Sequence, residues 1–196
     1  VYTTQHNQIQ QISTLIATWF HHAKSHFFTP EHMRQRLALF QGQRKARVFG
    51  ALALLIYQEY EHYLRRHHQI DFHDMMNQAI ALIKQEPQRY GERYDHILVD
   101  EFQDISFQRL ELLRCFVNGK TRTKLFCVGD DWQSIYRFAG SEVSIFVHFE
   151  HFFPAPATTL LHTNYRCVQS IVDASSRLIS FNREQRPKQV FASNRE

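Results

Sequence analysis

Two clusters of carboxylates in this chain each follow directly after a run of apolar residues. Residues 97–104 read ILVDEFQD, and residues 125–136 read LFCVGDDWQSIY. Such apolar runs are typical of buried strands, and α/β sheets bind ligands at the carboxyl ends of their parallel strands. An adjacent pair such as Asp100 and Glu101 can hold Mg²⁺ through one carboxylate and polarise an attacking water with the other. The pattern indicates phosphate chemistry; the alternative is a solvated surface pair, with Asp104 capping the next helix.

Further polar residues in and after the second block suit the same chemistry. Gln133 has both a donor and an acceptor, which fits it to contact the γ-phosphate of a nucleotide or its attacking water. A third block, residues 160–166, reads LLHTNYR and ends in Tyr165 and Arg166. A guanidinium can neutralise the charge that develops during phosphoryl transfer, with a fork geometry that lysine does not copy. The alternative for Arg166 is a surface arginine at the end of a strand.

In their order along the chain, the three blocks resemble motifs II, III and IV of UvrD/Rep-type superfamily 1 DNA helicases. The resemblance implies that Asp100 holds Mg²⁺ through a water molecule and that Glu101 is the general base for ATP hydrolysis. It also implies that Tyr165 stacks on the adenine and that Arg166 stabilises the transition state. The catalytic residues it implies are Asp100, Glu101, Gln133 and Arg166, and the ATP-binding residues are Asp100, Asp130, Gln133, Tyr165 and Arg166.

Three aromatic residues are candidates for contact with DNA. Tyr136 and Phe138 resemble the aromatic pair after motif III on which single-stranded bases stack. Residues 70–76, IDFHDMM, resemble a weaker family motif whose aromatic residue, here Phe72, also touches single-stranded DNA. Stacking of this kind is worth about 1–3 kcal/mol per base and does not depend on sequence. The alternatives are core packing for the aromatic residues and an ordinary helix start capped by Asp71.

The combination of motifs looks closest to the helicase IV branch of this family, and Trp132 before Gln133 is part of that likeness. The resemblance covers residues 70–185 well, whereas residues 1–69 match only as helical content that corresponds to subdomain 1B. Ala139 stands where many family members have an arginine that links motif III to the motif II glutamate and to DNA. This departure weakens the expectation that motif III makes both of these links in this chain.

Hydrophobic periodicity divides the chain near residue 90. Residues 1–90 are predicted to form a helical subdomain, with helices over residues 6–28, from Pro30, and over 44–67 and 72–85. Residues 91–196 alternate strands (94–100, 124–130, 158–163) with helices (107–118, 141–153, 168–181). This alternation predicts an α/β fold with a parallel sheet. The resemblance implies that the sheet is part of a P-loop NTPase (RecA-like) domain.

Composition narrows the class of protein only moderately. The formal net charge of +4 and the sequence pI of about 9.1 fit a partner with phosphates without proving one. Three scattered cysteines without a CxxC pair are typical of reduced thiols in a cytoplasmic protein. The 13 histidines lack the spacing of a zinc site. We find no apolar run long enough to predict a membrane span.

The resemblance implies an ATP-dependent 3′–5′ DNA helicase that acts on single-stranded DNA and on junctions between duplex and single strands, in replication, repair or recombination. The chain contains no GxxxxGK[ST] phosphate-binding loop and begins at Val1 without Met. We therefore expect an internal fragment that is inactive by itself. The alternative is an ATPase-dead module that binds DNA or protein. An open sheet edge should also favour self-association, unless residues 1–69 fold back over it.

Overall fold

The structure, a computed structural model, describes residues 2–91, 93–117, 122–136 and 140–193, with side chains from residue 7 onward. The chain forms two compact units. The first, here the helical unit, comprises Val1–Ile97 and Ser106–Lys124, and the second, here the motif unit, comprises Leu98–Ile105 and Leu125–Glu196. Both units are discontinuous in sequence, so they differ from the predicted division into residues 1–90 and 91–196. That division describes subdomains of a family and stays a prediction.

Six helices lie in the described part of the helical unit. They are α1 (Tyr2–Ser25), α2 (Pro30–Leu39), α3 (Arg44–Arg66), α4 (Phe72–Gln85), α5 (Pro87–Tyr90) and α6 (Phe107–Phe116). The predicted helices are confirmed, and α4 has the predicted bounds. Thr29 and Asp71 cap α2 and α4, each accepting a hydrogen bond from the backbone N–H three residues later. Ile80, Ile83 and Cys115 form a buried cluster that joins α4 to α6.

A buried lysine ties three helices of this unit together. The Nζ of Lys24, whose side chain is 4% exposed, lies 2.7 Å from Glu61, 2.6 Å from Asp71 and 2.8 Å from Asp74. Burial alone would lower the pKa of the Lys24 ammonium, but the hydrogen bonds to these carboxylates outweigh it and raise that pKa. Tyr60 donates a further hydrogen bond to Asp71, at 3.0 Å. The N-cap of α4 is therefore held from α1 and α3.

We expect Lys24→Met to lower the free energy of unfolding by about 3–5 kcal/mol, because it leaves three partly buried carboxylates without their cation. Urea unfolding followed by circular dichroism measures this loss. Lys84→Met is the matched control, since Lys84 is 58% exposed and forms an ion pair with Glu111. Its loss should be about 0–1 kcal/mol. Equal losses in the two variants would contradict a structural role for the Lys24 cluster.

Strands β1 (His96–Val99) and β2 (Lys124–Cys127) form a two-stranded sheet. The N–H of Lys124 donates to the carbonyl of Asp95, and the N–H of Val128 donates to the carbonyl of Val99, each at 2.9 Å. The offset between the paired residues is the same at both ends, so the strands run parallel, as predicted. Both strands are shorter than predicted, and Leu98 (76% exposed) and Phe126 (60% exposed) face solvent.

The remaining α-helices and strands in the described part of the motif unit are α7 (Val143–Val147), α8 (Phe149–Phe152), β3 (Thr163–Asn164), α9 (Gln169–Ile179) and β4 (Phe191–Ala192). The structure confirms the α/β class and the predicted last helix. The strand predicted over residues 158–163 is wrong, because only Thr163 lies in a strand. That strand, β3, pairs in parallel with β4 in a separate sheet. An apolar run does not encode its pairing partner, and here Leu161 is 84% exposed.

The helix predicted over residues 141–153 is interrupted at His148, which separates α7 from α8. Phe149, the first residue of α8, packs edge-on against Phe102 with ring centroids 5.3 Å apart, and Phe153 packs at a tilt against Phe149 with ring centroids 4.8 Å apart. Aromatic packing of this kind can outweigh the few hydrogen bonds that a continuous helix would add. The break at His148 therefore lies beside the aromatic packing in the core of the motif unit.

Two further features bear on the sequence predictions. The three cysteines are free, and burial raises the pKa of the Cys127 thiol to about 12, which keeps it protonated. Within the described part of the chain, no helix combines the length and the apolar character that crossing a membrane requires.

Candidate active site

Asp100 and Glu101 follow β1 directly, and both are exposed. The carboxylate of Asp100 accepts a hydrogen bond from the N–H of Glu101 at 2.9 Å. Glu101 has a left-handed backbone (φ 50°, ψ 43°), a conformation that costs a residue other than glycine about 1–3 kcal/mol. The chain then turns into a 3₁₀ helix, Phe102–Asp104. This turn leaves both predicted catalytic carboxylates accessible to a ligand at the end of a strand.

Phe102 anchors this turn. Its side chain is 1% exposed and packs among Phe146 and Phe149, and its N–H donates to the carbonyl of Val128 at 2.9 Å. A Cβ atom on Gly129 would lie 2.5 Å from the side-chain oxygen of Gln103 and 2.8 Å from Phe146. Only glycine at this position lets the two strand ends approach so closely.

Gln103 joins the two strand ends through its side chain, which is also 1% exposed. Its Nε2 donates to the Oε2 of Glu101 at 2.7 Å, and its Oε1 accepts from the N–H of Asp130 at 3.0 Å. The carboxylate of Asp130 in turn accepts from the Nε2 of Gln133 at 2.9 Å. The structure therefore brings Glu101, Gln103, Asp130 and Gln133 into one hydrogen-bonded series.

Asp130 is held ionised by its surroundings. Burial opposes its ionisation, but hydrogen bonds from Lys188 and Gln133 outweigh this effect and lower the pKa of the carboxyl below its usual value. Lys188 contacts Asp130 through its Nζ, and the N–H of Trp132 donates to the same carboxylate at 3.1 Å. A negative charge at Asp130 is therefore built into this site.

The segment after α9 supplies residues that sequence reasoning missed. The Nζ of Lys188 lies 2.6 Å from the carboxylate of Asp131, which is 1% exposed, and 4.6 Å from the centre of the Trp132 ring. The N–H of Arg186 donates to the other oxygen of Asp131 at 2.7 Å. These partners lie 55 and 57 residues apart in the sequence, and no local pattern marks the pairing.

The third block places Tyr165 and Arg166 on a tight turn. The side-chain oxygen of Asn164 accepts hydrogen bonds from the N–H groups of Arg166 and Cys167, both at 2.8 Å. Tyr165 is 80% exposed, and Arg166 is exposed as well. Among the described residues, no ion pair engages Arg166, and no hydrogen bond joins it to the series that includes Glu101.

Of the three residues predicted to contact DNA, the structure describes Phe72 and Tyr136. Phe72, the first residue of α4, is 85% exposed, and Tyr136 is 48% exposed. Exposure at this level argues against the core-packing alternative for Phe72. Phe138 and Ala139 lie outside the described residues. The structure therefore leaves the prediction for Phe138 open.

The donor set around Asp100 fits a hydrated Mg²⁺. Magnesium prefers oxygen ligands and retains several waters, so one accessible carboxylate is a sufficient protein anchor. One oxygen of Asp100 accepts a hydrogen bond from the N–H of Glu101, and within the described residues no hydrogen bond or ion pair engages the other oxygen. Across residues 7–91, 93–117, 122–136 and 140–193, no group of three or more His, Cys, Asp or Glu side chains is arranged to hold a metal.

Comparison with known proteins is consistent with the motifs. A family model described as the UvrD/REP helicase N-terminal domain matches residues 2–154. DNA helicase IV of Escherichia coli (strain K12) is 40% identical over 119 residues, which cover 61% of this chain and 17% of that protein. ATP-dependent DNA helicase UvrD1 of Mycobacterium leprae (strain TN) is 35% identical over 147 residues, covering 69% of this chain and 19% of the relative.

ATP-dependent DNA helicase PcrA of a Staphylococcus epidermidis strain is 30% identical over 175 residues, which cover 87% of this chain and 22% of the relative. The chain thus spans about a fifth of the length of these relatives. The matched range of the family model contains the first two blocks, whereas Tyr165 and Arg166 lie beyond its end at residue 154.

Proposed function

The chain belongs to the UvrD/REP helicase family, because the model of that family's N-terminal domain matches residues 2–154. From this premise we propose that the protein containing the chain is an ATP-dependent DNA helicase. The observation that carries the proposal is the hydrogen-bonded series from Glu101 through Gln103 and Asp130 to Gln133. It joins the candidate base to the candidate γ-phosphate contact at the ends of two parallel strands. A P-loop NTPase (RecA-like) sheet has its catalytic groups in the same position.

In the proposed mechanism, Glu101 accepts a proton from the water that attacks the γ-phosphate of ATP. Gln133 donates its Nε2–H to Asp130, because a carboxylate can only accept, and its Oε1 would accept a hydrogen bond from the same water. Arg166 neutralises charge on the transferred phosphoryl group, and Tyr165 stacks on the adenine. Mg²⁺, anchored through water at Asp100, would offset the charge of the phosphates when bound.

The finer parts of the proposal rest on the resemblance of the motifs. They are 3′–5′ movement, action at junctions between duplex and single-stranded DNA, and a cytoplasmic location. That this chain alone is inactive, and that it self-associates through the open edge of its sheet, also stay predictions. The exposure of Leu98 and Phe126 supports the second of these, since it leaves apolar surface beside the sheet uncovered.

The proposal is tested by ATP turnover in the full-length protein, with and without single-stranded DNA. We expect hydrolysis that depends on DNA, and displacement of a strand from a duplex with a 3′ tail. Turnover that DNA does not stimulate would contradict the helicase function. Binding of DNA with no turnover at all would instead support the ATPase-dead module.

Replacing Phe72 with Ala should weaken binding of single-stranded DNA by about 5- to 150-fold, because one stacked base is worth about 1–3 kcal/mol. Fluorescence anisotropy with a labelled oligothymidine measures the affinity. Phe181→Ala is the matched control, since Phe181 is 83% exposed but lies outside the DNA-binding motifs. If both variants bind as tightly as the unmodified protein, Phe72 does not contact DNA.

A further inference from the structure

Gln103 is a buried polar side chain to which the mechanism above gives no role. The described part of the chain buries two glutamines almost completely, Gln103 at 1% exposure and Gln108 at 4%. Burial of an amide is costly unless each end finds a partner. Gln108 meets this requirement in the helical unit, where it bonds His73 and Asn77. Gln103 meets it with partners from the candidate active site.

The orientation of the Gln103 amide follows from its partners. The carboxylate of Glu101 can only accept, so it faces the Nε2 group at 2.7 Å; the backbone N–H of Asp130 can only donate, so it faces Oε1 at 3.0 Å. A flipped amide would place like groups against each other at both ends. The bond to a charged acceptor is also of the stronger kind.

Surrounding contacts hold the Gln103 side chain in place. Ser134 donates its hydroxyl to the backbone carbonyl of Gln103 at 3.4 Å, which fixes the main chain beside the amide, and the neighbouring Phe102 is packed among two aromatic rings. Gly129 leaves room for the amide, because a Cβ there would clash with Oε1 at 2.5 Å. Glu101, by contrast, is exposed and has a left-handed backbone. A rigid buried amide therefore restrains the carboxylate of an otherwise exposed glutamate.

We propose that Gln103 is a positioning residue, which holds the carboxylate of Glu101 at a fixed place relative to the backbone of Asp130. This inference rests on the proposed function, since Glu101 is the base of that reaction. Loss of the amide leaves ATP binding in place but lets the base move away from its water. Misplacement of a reacting group by about 1 Å can cost about 10²-fold in rate.

Two variants of the full-length protein test this inference. Gln103→Met keeps the length of the side chain and removes both hydrogen bonds. Gln103→Glu keeps the volume and an acceptor for the N–H of Asp130, but offers Glu101 a carboxylate in place of a donor. At saturating DNA, we expect both variants to lower kcat by about 10- to 100-fold with KM for ATP within about threefold.

Gln108→Met is the matched control, because it removes comparable buried hydrogen bonds in the helical unit. Its kcat at saturating DNA should stay within about twofold, even where thermal melting shows a similar loss of stability. If Gln103→Met does not fold, Gln103→Glu tests the inference, because glutamate is closer in shape to glutamine than methionine is. Unmodified protein without turnover would refute the proposed function. If the unmodified protein is active, three results would overturn the positioning role. They are a normal kcat in Gln103→Glu, a change in the Gln103 variants that is confined to KM, and a loss of kcat in Gln108→Met equal to that in Gln103→Met.

Discussion

Replacing Glu101 with Gln in the full-length protein should reduce ATP turnover by about 10²- to 10⁴-fold, which is the usual contribution of a positioned general base. Glutamine has nearly the shape of glutamate, and its side-chain oxygen can still accept the 2.7 Å hydrogen bond from Gln103. The variant should therefore keep its fold and its affinity for ATP and DNA. Steady-state turnover, together with binding of a fluorescent nucleotide, separates the two effects.

Glu184→Gln is the control for this prediction, because Glu184 is an exposed glutamate of the same motif unit and forms no hydrogen bond or ion pair among the described residues. Its turnover should match that of the unmodified protein. Near-normal hydrolysis by Glu101→Gln would show that Glu101, the second carboxylate of the ILVDEFQD block, is not the general base. A loss of nucleotide binding that parallels the loss of turnover would indicate a binding role.

Replacing Arg166 with Ala should lower turnover by about 10³- to 10⁵-fold, the range measured for arginines that stabilise phosphoryl transfer. The loss of ATP affinity should be smaller, since the guanidinium acts mainly on charge that develops in the transition state. Arg166→Lys should restore little activity, because an ammonium does not reproduce the fork of a guanidinium. Single-turnover hydrolysis and nucleotide binding, measured on the same preparations, provide the comparison.

Arg183→Ala serves as the control for Arg166, because both arginines are exposed in the motif unit. We expect Arg183→Ala to hydrolyse ATP normally. Full rescue by lysine at position 166, or normal turnover in Arg166→Ala, would show that this arginine does not contact the reacting phosphate. The outcome matters because Arg166 lies beyond the matched range of the family model.

Local chemistry made much of this protein predictable from its sequence. The caps at Thr29 and Asp71 act within one turn of helix, so they specify where α2 and α4 begin without any distant partner. The 3.6-residue apolar period likewise specified the long helices. Asp100 and Glu101 could be placed at a strand end, because an apolar run followed by carboxylates is itself a local pattern. Membership of the helicase family was visible in the same blocks.

The tertiary structure decided what depends on partners far away in the sequence. The segment predicted as a third strand is mostly irregular, because pairing needs a neighbour, and β3 finds its neighbour in β4 and not in the first sheet. Lys188 meets Asp130 and Asp131 across more than 50 residues of chain, which no periodicity signals.

The same limit applies within the site itself. The sequence contains Gln103 inside a recognisable block, but its role depends on which group faces each end of the amide. These groups face the amide only after β1 and β2 pair side by side and Gly129 lets the strand ends approach. Sequence alone thus determined which chemical groups the site contains. Folding determined which of these groups bond to one another, because hydrogen bonds join groups that are close in space, whatever their separation along the chain.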